Sequence, residues 1–293
     1  MKPYFIVNPI AGGGSALTKF DRLKQLLEKM RIEFGCSFSE RAGESTSLAE
    51  RAYSEGERYI IAVGGDGTVN EVASALIGKD DAVMGICPFG TGNDFARALK
   101  LSGDPEAAAE TIKNGVVEPV DAGLAGSKAF INAGGVGFDV DVVINTEKYK
   151  KRFRGMLPYL LGIMKSVTHL KSFPVKLTAD GEEIKEDALI VAVANGSHFG
   201  GGMNVAPGAD PKDGYFNVCL IKKIGFFRFM QLMPKFIKGK HVGCREVKYF
   251  TAKEIDLDCG ERPMQLDGEL GAKAPARFRM LHGALKMKLP VRA

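Results

Sequence analysis

The stretch that decides the fold reads Gly64-Gly65-Asp66-Gly67-Thr68-Val69-Asn70-Glu71, and it follows the short apolar run Tyr59-Ile60-Ile61-Ala62-Val63. An apolar run that ends in glycines and leads into an amphipathic stretch predicts a parallel strand, a tight turn and a helix. Glycines allow backbone N–H groups to crowd round a phosphate, and Asp66 and Thr68 add a carboxylate and a hydroxyl that can hold Mg²⁺. A plain turn does not need so particular a sequence. We therefore interpret this stretch as a phosphate-binding loop.

Two further glycine-rich turns lie on either side of this loop in the sequence. One reads Asn8-Pro9-Ile10-Ala11-Gly12-Gly13-Gly14, and the other reads Pro88-Phe89-Gly90-Thr91-Gly92-Asn93-Asp94-Phe95-Ala96. A helix that begins at such a turn presents unpaired backbone N–H groups and a positive dipole end to an anion. The first turn is the weaker indication, because a tight connection from strand to helix needs glycine for steric reasons alone. The pattern predicts three phosphate-binding loops along one edge of one sheet.

The first half of the chain alternates short apolar runs with amphipathic stretches as far as about Gly115, which predicts an α/β domain with a doubly wound parallel sheet. After about Val116 the β-branched runs follow one another closely, with turn signals such as Ala179-Asp180-Gly181 between them. We expect mostly β structure there, interrupted by helices over Asp139 to Lys148, Pro158 to Leu170 and Phe226 to Lys238. A boundary near Val120 divides the chain into domains 1–120 and 121–293.

The composition excludes several classes of protein. The 293 residues are 45% hydrophobic and 26% charged with a net charge of +5, and the basic residues are spread among acidic ones, so nucleic acid is not an expected partner. Five scattered cysteines without a CxxC pair favour neither disulfides nor zinc and suit a reducing cytoplasm. No apolar run approaches the roughly 18 residues that span a bilayer, so we expect any membrane contact to be peripheral.

Two segments combine positive charge with apolar residues, namely Lys148 to Arg154 and Lys222 to Lys240. Such segments can rest on an anionic membrane, although solvated basic faces have the same composition. Within the second segment, Phe226 to Phe236 has enough apolar residues for a helix that faces lipid. A helix packed on the β domain gives the same pattern.

The motifs GGDGTVNEV at Gly64 to Val72 and PFGTGNDFA at Pro88 to Ala96 together resemble the bacterial diacylglycerol kinase-like lipid kinases, a group related to the sphingosine kinases. NAD kinases and phosphofructokinases also carry GGDGT, but GTGNDFA at this spacing is characteristic of the lipid kinases. The resemblance extends along nearly the whole chain. It implies an N-terminal nucleotide-binding domain of the phosphofructokinase and NAD kinase type, a C-terminal β-sandwich domain, and ATP in the cleft between them.

The resemblance also implies which residues contact ATP. They are the residues of the three loops and one threonine before a helix: Asn8, Pro9, Ile10, Ala11, Gly12, Thr46, Gly65, Asp66, Gly67, Thr68, Val69, Asn70, Glu71 and Thr91. Thr46 has a second interpretation, because a threonine before a helix is equally explained as an N-cap.

In the second half, the resemblance implies a Mg²⁺ loop with the carboxylates of Asp210 and Asp213 and the carbonyl of Tyr215 as ligands, beside the metal contact of Asp66. A β-turn with Pro211 at its second position explains the same residues without an ion. The segment Gln265-Leu266-Asp267-Gly268-Glu269 resembles the family's segment that carries the general base, with Asp267 as the first candidate and Glu269 as the second. Asp-Gly is by itself also a common hairpin signal.

The expected activity is the transfer of the γ-phosphoryl group of ATP to the hydroxyl of a lipid alcohol, with diacylglycerol as the default acceptor and phosphatidic acid as its product. An NAD kinase is the nearest rival. A dinucleotide-dependent oxidoreductase fails, because the Gly90-Thr91-Gly92 turn follows the fourth predicted strand instead of the first. A protein that senses ATP without turnover is a third alternative. We expect a cytoplasmic protein with peripheral contact to anionic membranes, and a homodimer is a possible assembly.

Overall fold

The computed structural model describes residues 1–150, 153 and 157–291, which form two compact units. The first unit contains Met1–Asp121 and the chain from His282 onward, and the second contains Ala122–Leu281. The predicted second domain of 121–293 differs from this division at its end. The final strand leaves the second unit and completes the sheet of the first, and a pattern of local residues does not reveal such a return.

The strands and helices up to residue 121 follow the predicted alternation. The strands are β1 (Pro3–Val7), β2 (Gly35–Phe38), β3 (Tyr59–Gly64) and β4 (Val83–Pro88), and the helices are α1 (Ser15–Lys29), α2 (Glu44–Ser54), α3 (Asp66–Leu76), α4 (Asp94–Ala98) and α5 (Pro105–Asn114). A 3₁₀ turn over Ala11–Gly14 precedes α1. The strand β5 (Val116–Ala125) begins in the first unit and ends in the second.

The remaining elements are mostly strands. They are β6 (Lys128–Phe130), β7 (Ala133–Gly137), β8 (Phe173–Ala179), β9 (Glu182–Ala194), β10 (Phe216–Lys222), β11 (Val247–Ala252), β12 (Glu254–Leu266) and β13 (Glu269–Leu289), with helices α6 (Phe138–Lys150), α7 (Leu157–Val167) and α8 (Phe226–Ile237). The three predicted helices of this half are confirmed within a few residues of their predicted bounds.

The first unit is a parallel sheet in the order β2, β1, β3, β4 and the end of β13. Every residue of β3 and β4 is buried, as expected for a parallel strand that is covered on both faces. On one face, Phe5 packs edge to face on Phe20 of α1, with their ring centroids 5.2 Å apart. Because these strands are parallel, their carboxyl ends lie at the same edge of the sheet.

The second unit is antiparallel, in the order β11, β10, β9, β7, β12 and β13, and β8 pairs with β9 and β12. Its core contains Phe130, which stacks on Phe216 with ring centroids 5.7 Å apart. No helix among the described residues is long and apolar enough to cross a membrane.

Candidate active site

The loop after β3 and the loop after β4 touch each other through glycine backbones. The N–H of Gly90 donates to the carbonyl oxygen of Gly64 over 2.9 Å. A Cβ on Gly90 would lie only 2.2 Å from the Cα of Gly65. Glycine is therefore required at position 90 so that the two loops can lie side by side.

Asp66 joins these two loops through its side chain. Its Oδ1 accepts hydrogen bonds from the backbone N–H groups of Asp94 over 2.7 Å and Phe95 over 3.3 Å, so it caps the start of α4. Burial raises the pKa of Asp66, and these backbone hydrogen bonds oppose the rise by stabilising the charged form. A carboxylate predicted to anchor a metal therefore also organises the loop of its neighbour.

Asn93 is a residue of the site that the predicted contacts missed. Its backbone has a φ of 56°, in the left-handed region that asparagine tolerates better than most residues. Its side chain accepts from the N–H of Gly90 over 3.1 Å and donates to the carbonyl oxygens of Pro88 and Gly90, each over 2.9 Å. Asn93 shapes the loop after β4 from inside, and the tolerance of asparagine for this backbone conformation was the available sequence signal.

The loop after β1 is tied to the other two. The Nδ2 of Asn8 donates to the Oγ1 of Thr68 over 3.1 Å, and the side chain of Thr68 is buried. Gly12 has a φ of 61°, and a Cβ there would lie 2.6 Å from the carbonyl oxygen of Phe89. The three predicted loops therefore meet, and the hydroxyl of Thr68 already serves as a contact between two of them.

Thr46 and Glu71 make local hydrogen bonds that the sequence did not indicate, and their predicted contacts with ATP stay predictions. The helix α2 has Gly43 as its N-cap, so Thr46 lies in its first turn and the N-cap interpretation is wrong. The carboxylate of Glu71 accepts from the N–H groups of Gly43 and Ser45, each over 2.9 Å, and the hydroxyl of Thr46 donates to the carbonyl oxygen of Glu71 over 3.1 Å. This pair fixes the start of α2 beside α3.

The other predicted nucleotide contacts differ in exposure. Ile10, Gly67 and Thr91 are exposed, whereas the side chain of Val69 is buried in the core and leaves only its backbone for a ligand. The buried amide oxygen of Asn70 has no hydrogen-bond partner within the described part of the chain.

Asp267 and Gly268 form the hairpin turn between β12 and β13. Their φ angles are 50° and 83°, and Leu266 pairs with Glu269 across the turn, so the hairpin signal is confirmed as local structure. The carboxylate of Asp267 accepts three backbone N–H bonds, from Ile131 over 2.8 Å and from Asn132 and Ala133 over 2.9 Å each. The candidate base is thus held firmly in place, whereas Glu269 is exposed.

The predicted metal loop has the geometry of a turn. The N–H of Asp213 donates to the carbonyl oxygen of Asp210 over 3.2 Å, and the N–H of Tyr215 donates to Oδ1 of Asp213 over 2.9 Å. Both aspartates are exposed. Across the described ranges no three His, Cys, Asp or Glu side chains are grouped to hold a metal. Because Mg²⁺ commonly takes one or two carboxylates and completes its shell with water, this pair still suits it chemically.

Comparison with known proteins identifies both halves of the chain. Residues 2–125 match the diacylglycerol kinase catalytic domain, and residues 133–289 match the YegS C-terminal NAD kinase beta sandwich-like domain. A diacylglycerol kinase of Bacillus subtilis (strain 168) is 30% identical over 288 residues, which are 97% of this chain and 95% of the relative. One from Staphylococcus carnosus (strain TM300) is 29% identical over 287 residues, 97% of this chain and 94% of the relative.

A solved structure gives the same result. The crystal structure of a candidate diacylglycerol kinase from Bacillus anthracis (strain Sterne) superposes with a TM-score of 0.82 at 28% identity, over 98% of this chain and 96% of that one. The match of the catalytic domain and the full-length relatives, together with the joined glycine loops, identify an ATP-dependent lipid kinase. The chain belongs to the diacylglycerol kinase family. The NAD kinase rival finds support only in the fold of the second domain, since the catalytic domain matches the lipid kinases.

Proposed function

We propose that this enzyme transfers the γ-phosphoryl group of ATP to the free hydroxyl of diacylglycerol and so forms phosphatidic acid. The observation that carries the proposal is the joining of three glycine loops through Asp66, Asn8 and Gly90, in a chain whose relatives are named diacylglycerol kinases. The helix α3 begins at one of these loops, and backbone N–H groups at a helix N-terminus favour phosphate oxygens. The first N–H groups of α4 are instead bonded to Asp66, which keeps the loop after β4 in place.

The proposed reaction is an in-line displacement without a covalent enzyme intermediate. Catalysis of this kind consists mainly of positioning and charge stabilisation. Mg²⁺, when bound, neutralises charge on the phosphates, and we propose the carboxylate of Asp66 as its contact in the first unit. In the second unit we propose Asp210, Asp213 and the carbonyl of Tyr215 as its ligands.

We further propose that the hairpin turn of the second unit supplies the general base, with Asp267 as the first choice and Glu269 as the second. A base must accept the hydroxyl proton as the phosphoryl group moves. The three backbone N–H bonds to Asp267 support a fixed orientation of its carboxylate. They also leave little freedom to turn, so the exposed Glu269 remains the alternative.

The acceptor is tested by labelled phosphoryl transfer in mixed micelles, with diacylglycerol, a sphingoid base, phosphatidylglycerol and soluble NAD as separate acceptors. We expect label in the diacylglycerol product at a rate at least about tenfold above the others. Asp66→Ala is the inactive control, because it removes the cap of α4 and the proposed metal contact together. Label in NAD and none in lipid would instead establish an NAD kinase.

We also propose peripheral contact with anionic membranes through α8. Its Phe229, Leu232 and Phe236 are buried in the core of the second unit, as one of the two sequence interpretations expected. Its opposite side carries an exposed apolar stripe of Phe226, Phe227, Met230 and Ile237, of which Phe227 is 82% exposed.

Exposed lysines precede and follow α8 in the sequence, at positions 223, 238 and 240. An exposed apolar surface with lysines beside it suits the boundary between acyl chains and anionic headgroups. Lys151 and Arg152 of the other basic segment lie outside the described residues. Cytoplasmic location and homodimer formation stay predictions.

A further inference from the structure

Asp139, on the first turn of α6, is an acidic residue that the proposed reaction does not use. Its Oδ1 is shielded from solvent and has no hydrogen-bond partner among the residues that the structure describes. Burial raises the pKa of the Asp139 carboxyl to about 6, and the negative charge of Asp141 acts in the same direction. A charged group in such surroundings costs stability.

The other oxygen of Asp139 makes a specific contact. Its Oδ2 accepts a hydrogen bond from Nε2 of Gln265 over 3.0 Å, and Gln265 is almost fully buried on β12. The amide oxygen of the same Gln265 accepts from the N–H of Gly268 over 2.8 Å. One glutamine amide therefore connects Asp139 to the hairpin turn that holds Asp267 and Glu269.

The direction of this amide matters because its two ends are not equivalent. Its oxygen must face the N–H of Gly268, and its NH₂ group must then face an acceptor. Asp139 provides that acceptor. If the amide turned over, two donors would meet at Gly268 and the turn would lose its contact with Gln265.

The sheet makes room for the same contact. Gln265 pairs directly with Gly135 of the neighbouring strand β7. A Cβ on Gly135 would lie 2.0 Å from Oδ2 of Asp139, so only glycine allows the carboxylate to reach the amide. The hydrogen bond between Asp139 and Gln265 therefore depends on the strand register, which places Gln265 opposite Gly135, and on the absence of a side chain at position 135.

We propose that Asp139 is a positioning residue, which fixes the amide of Gln265 and thereby holds the Asp267–Glu269 turn in its catalytic geometry. The inference rests on the proposed role of that turn as the source of the general base. Asp139 itself touches neither the reacting atoms nor ATP in this scheme.

The test compares Asp139→Ala, Asp139→Asn and Gln265→Ala in the full-length enzyme with diacylglycerol and ATP. We expect Asp139→Ala to lower kcat about tenfold or more while the KM for ATP changes less than about twofold, because the turn and not the nucleotide site is disturbed. Asp139→Asn keeps an acceptor for the amide NH₂ and should restore most of the rate.

Thermal unfolding measures the effect of the buried Asp139 carboxyl on stability, separately from its effect on kcat. The folded-state pKa of Asp139 is raised above its ordinary value of 3.8, so its contribution to stability is complete below that pH and is lost as the pH rises through about 6. At pH 8 the ionised carboxylate therefore opposes folding. We expect Asp139→Asn to gain Tm relative to the parent at pH 8 and to gain less at pH 5.

A double-mutant cycle decides the connection between the two residues. If Asp139 acts through Gln265, the combined alanine variant should lower kcat no further than the more severe single variant. Effects on kcat that multiply, or a folded Asp139→Ala with the parent kcat, would overturn the proposal. If Asp139→Ala does not fold, Gln265→Met is measured in place of that variant. An unchanged kcat in Gln265→Met would also overturn the proposal. If Asp267→Asn lowers kcat strongly but the effects of the Asp139 and Gln265 variants on kcat are independent, only the positioning role of Asp139 is rejected. If Asp267→Asn and Glu269→Gln both lower kcat only slightly, the proposed general base is rejected.

Discussion

Gly90 and Gly67 lie in neighbouring phosphate loops, but their surroundings differ. A Cβ on Gly90 would collide with the backbone of Gly65 at 2.2 Å, and backbone cannot move aside as a flexible side chain can. We predict that Gly90→Ala lowers the free energy of unfolding by about 1–3 kcal/mol, as overpacking of a close contact does, and lowers ATP affinity with it. Thermal unfolding and ATP titration measure both effects.

Gly67 is the matched control, since a Cβ there meets no atom of the described residues within 4 Å. It lies in the first turn of α3, where alanine forms helix better than glycine by roughly 0.5–1 kcal/mol. We predict that Gly67→Ala keeps or raises Tm but weakens ATP binding, because the added methyl group meets the nucleotide and not the protein. Unchanged ATP affinity in this variant would show that Gly67 does not contact the nucleotide.

Asp267 combines a proposed catalytic role with an evident structural one. In Asp267→Asn, one carboxylate oxygen becomes an NH₂ group that faces backbone N–H donors. Such an unsatisfied polar group lowers the free energy of unfolding by about 1–3 kcal/mol. General base catalysis typically supplies about 10²- to 10⁴-fold, so we predict a fall in kcat of that order together with a lower Tm, at nearly constant KM for ATP. The rate must be measured well below the Tm of the variant.

Glu269→Gln is the companion variant, because Glu269 is the second candidate for the base and its side chain is exposed. Loss of turnover in Glu269→Gln with a mild effect of Asp267→Asn would exchange the two roles. Small effects on kcat in both would make the segment a hairpin turn and nothing more.

At the scale of elements, the helix α8 has one apolar side that packs in the core and a second apolar side that faces solvent. Phe229 packs on Phe138 of α6 with ring centroids 4.9 Å apart, while Phe226 and Phe227 contact each other and face solvent. Arg228, on a third side, is bonded through Nε to Oε1 of Glu246 over 2.9 Å. The buried side and this ion pair fix the helix, so its exposed stripe is presented in one orientation.

We predict that Phe227→Ser with Met230→Ser weakens binding to anionic vesicles by about tenfold or more, because two apolar side chains no longer enter the headgroup region. Lys238→Gln should weaken it by about 1 kcal/mol in a salt-dependent way. Vesicle sedimentation at two ionic strengths measures both. Val117→Ser, at another exposed apolar residue on β5, should have no effect. Equal binding of the parent enzyme to neutral and anionic vesicles would argue against this surface.

At the scale of the whole molecule, the chain ends by returning to its first unit. Leu285, Met287 and Leu289 of β13 are buried there, and Met287 pairs with Met84 of β4. The N–H of Gly283 also donates to the buried carboxylate of Asp121 over 2.7 Å. The nucleotide-binding unit is therefore assembled from both ends of the sequence.

We predict that a chain ending at Leu281 cannot form a stable nucleotide-binding unit. Full burial of one Leu or Met side chain contributes about 1.5–3 kcal/mol, so the loss of three is comparable to the total stability of about 5–15 kcal/mol for a domain. Circular dichroism should show lost helix, and ATP binding should disappear. The exposed Val291 offers the control, because Val291→Ser should change neither. A truncated chain that still binds ATP with the parent affinity would contradict the prediction.

The two ends of β13 also show where prediction from sequence stopped. The strands β1, β3 and β4 of the first unit were predictable, because each is a short run of mainly apolar residues that leads into a glycine-rich turn. In β13 the buried residues are interrupted by exposed ones over most of its length, and β11 has only one fully buried residue. Neither strand has an apolar run of its own, so neither was predicted.

By itself the sequence determined the fold class, the three glycine loops and the family, because apolar periodicity and loop motifs are properties of neighbouring residues. Only the tertiary structure decided which hydrogen-bond partners the carboxylates of the site have. Asp66 reaches the N–H of Asp94, which lies 28 positions away, and Asp267 reaches the N–H of Ile131, which lies 136 positions away. The carboxylate of Glu71 also bonds to backbone N–H groups at the start of α2, and its predicted contact with ATP stays a prediction. No local pattern encodes such partners, because they meet only when the packing of the strands and helices brings distant backbone N–H groups within hydrogen-bond distance of a carboxylate.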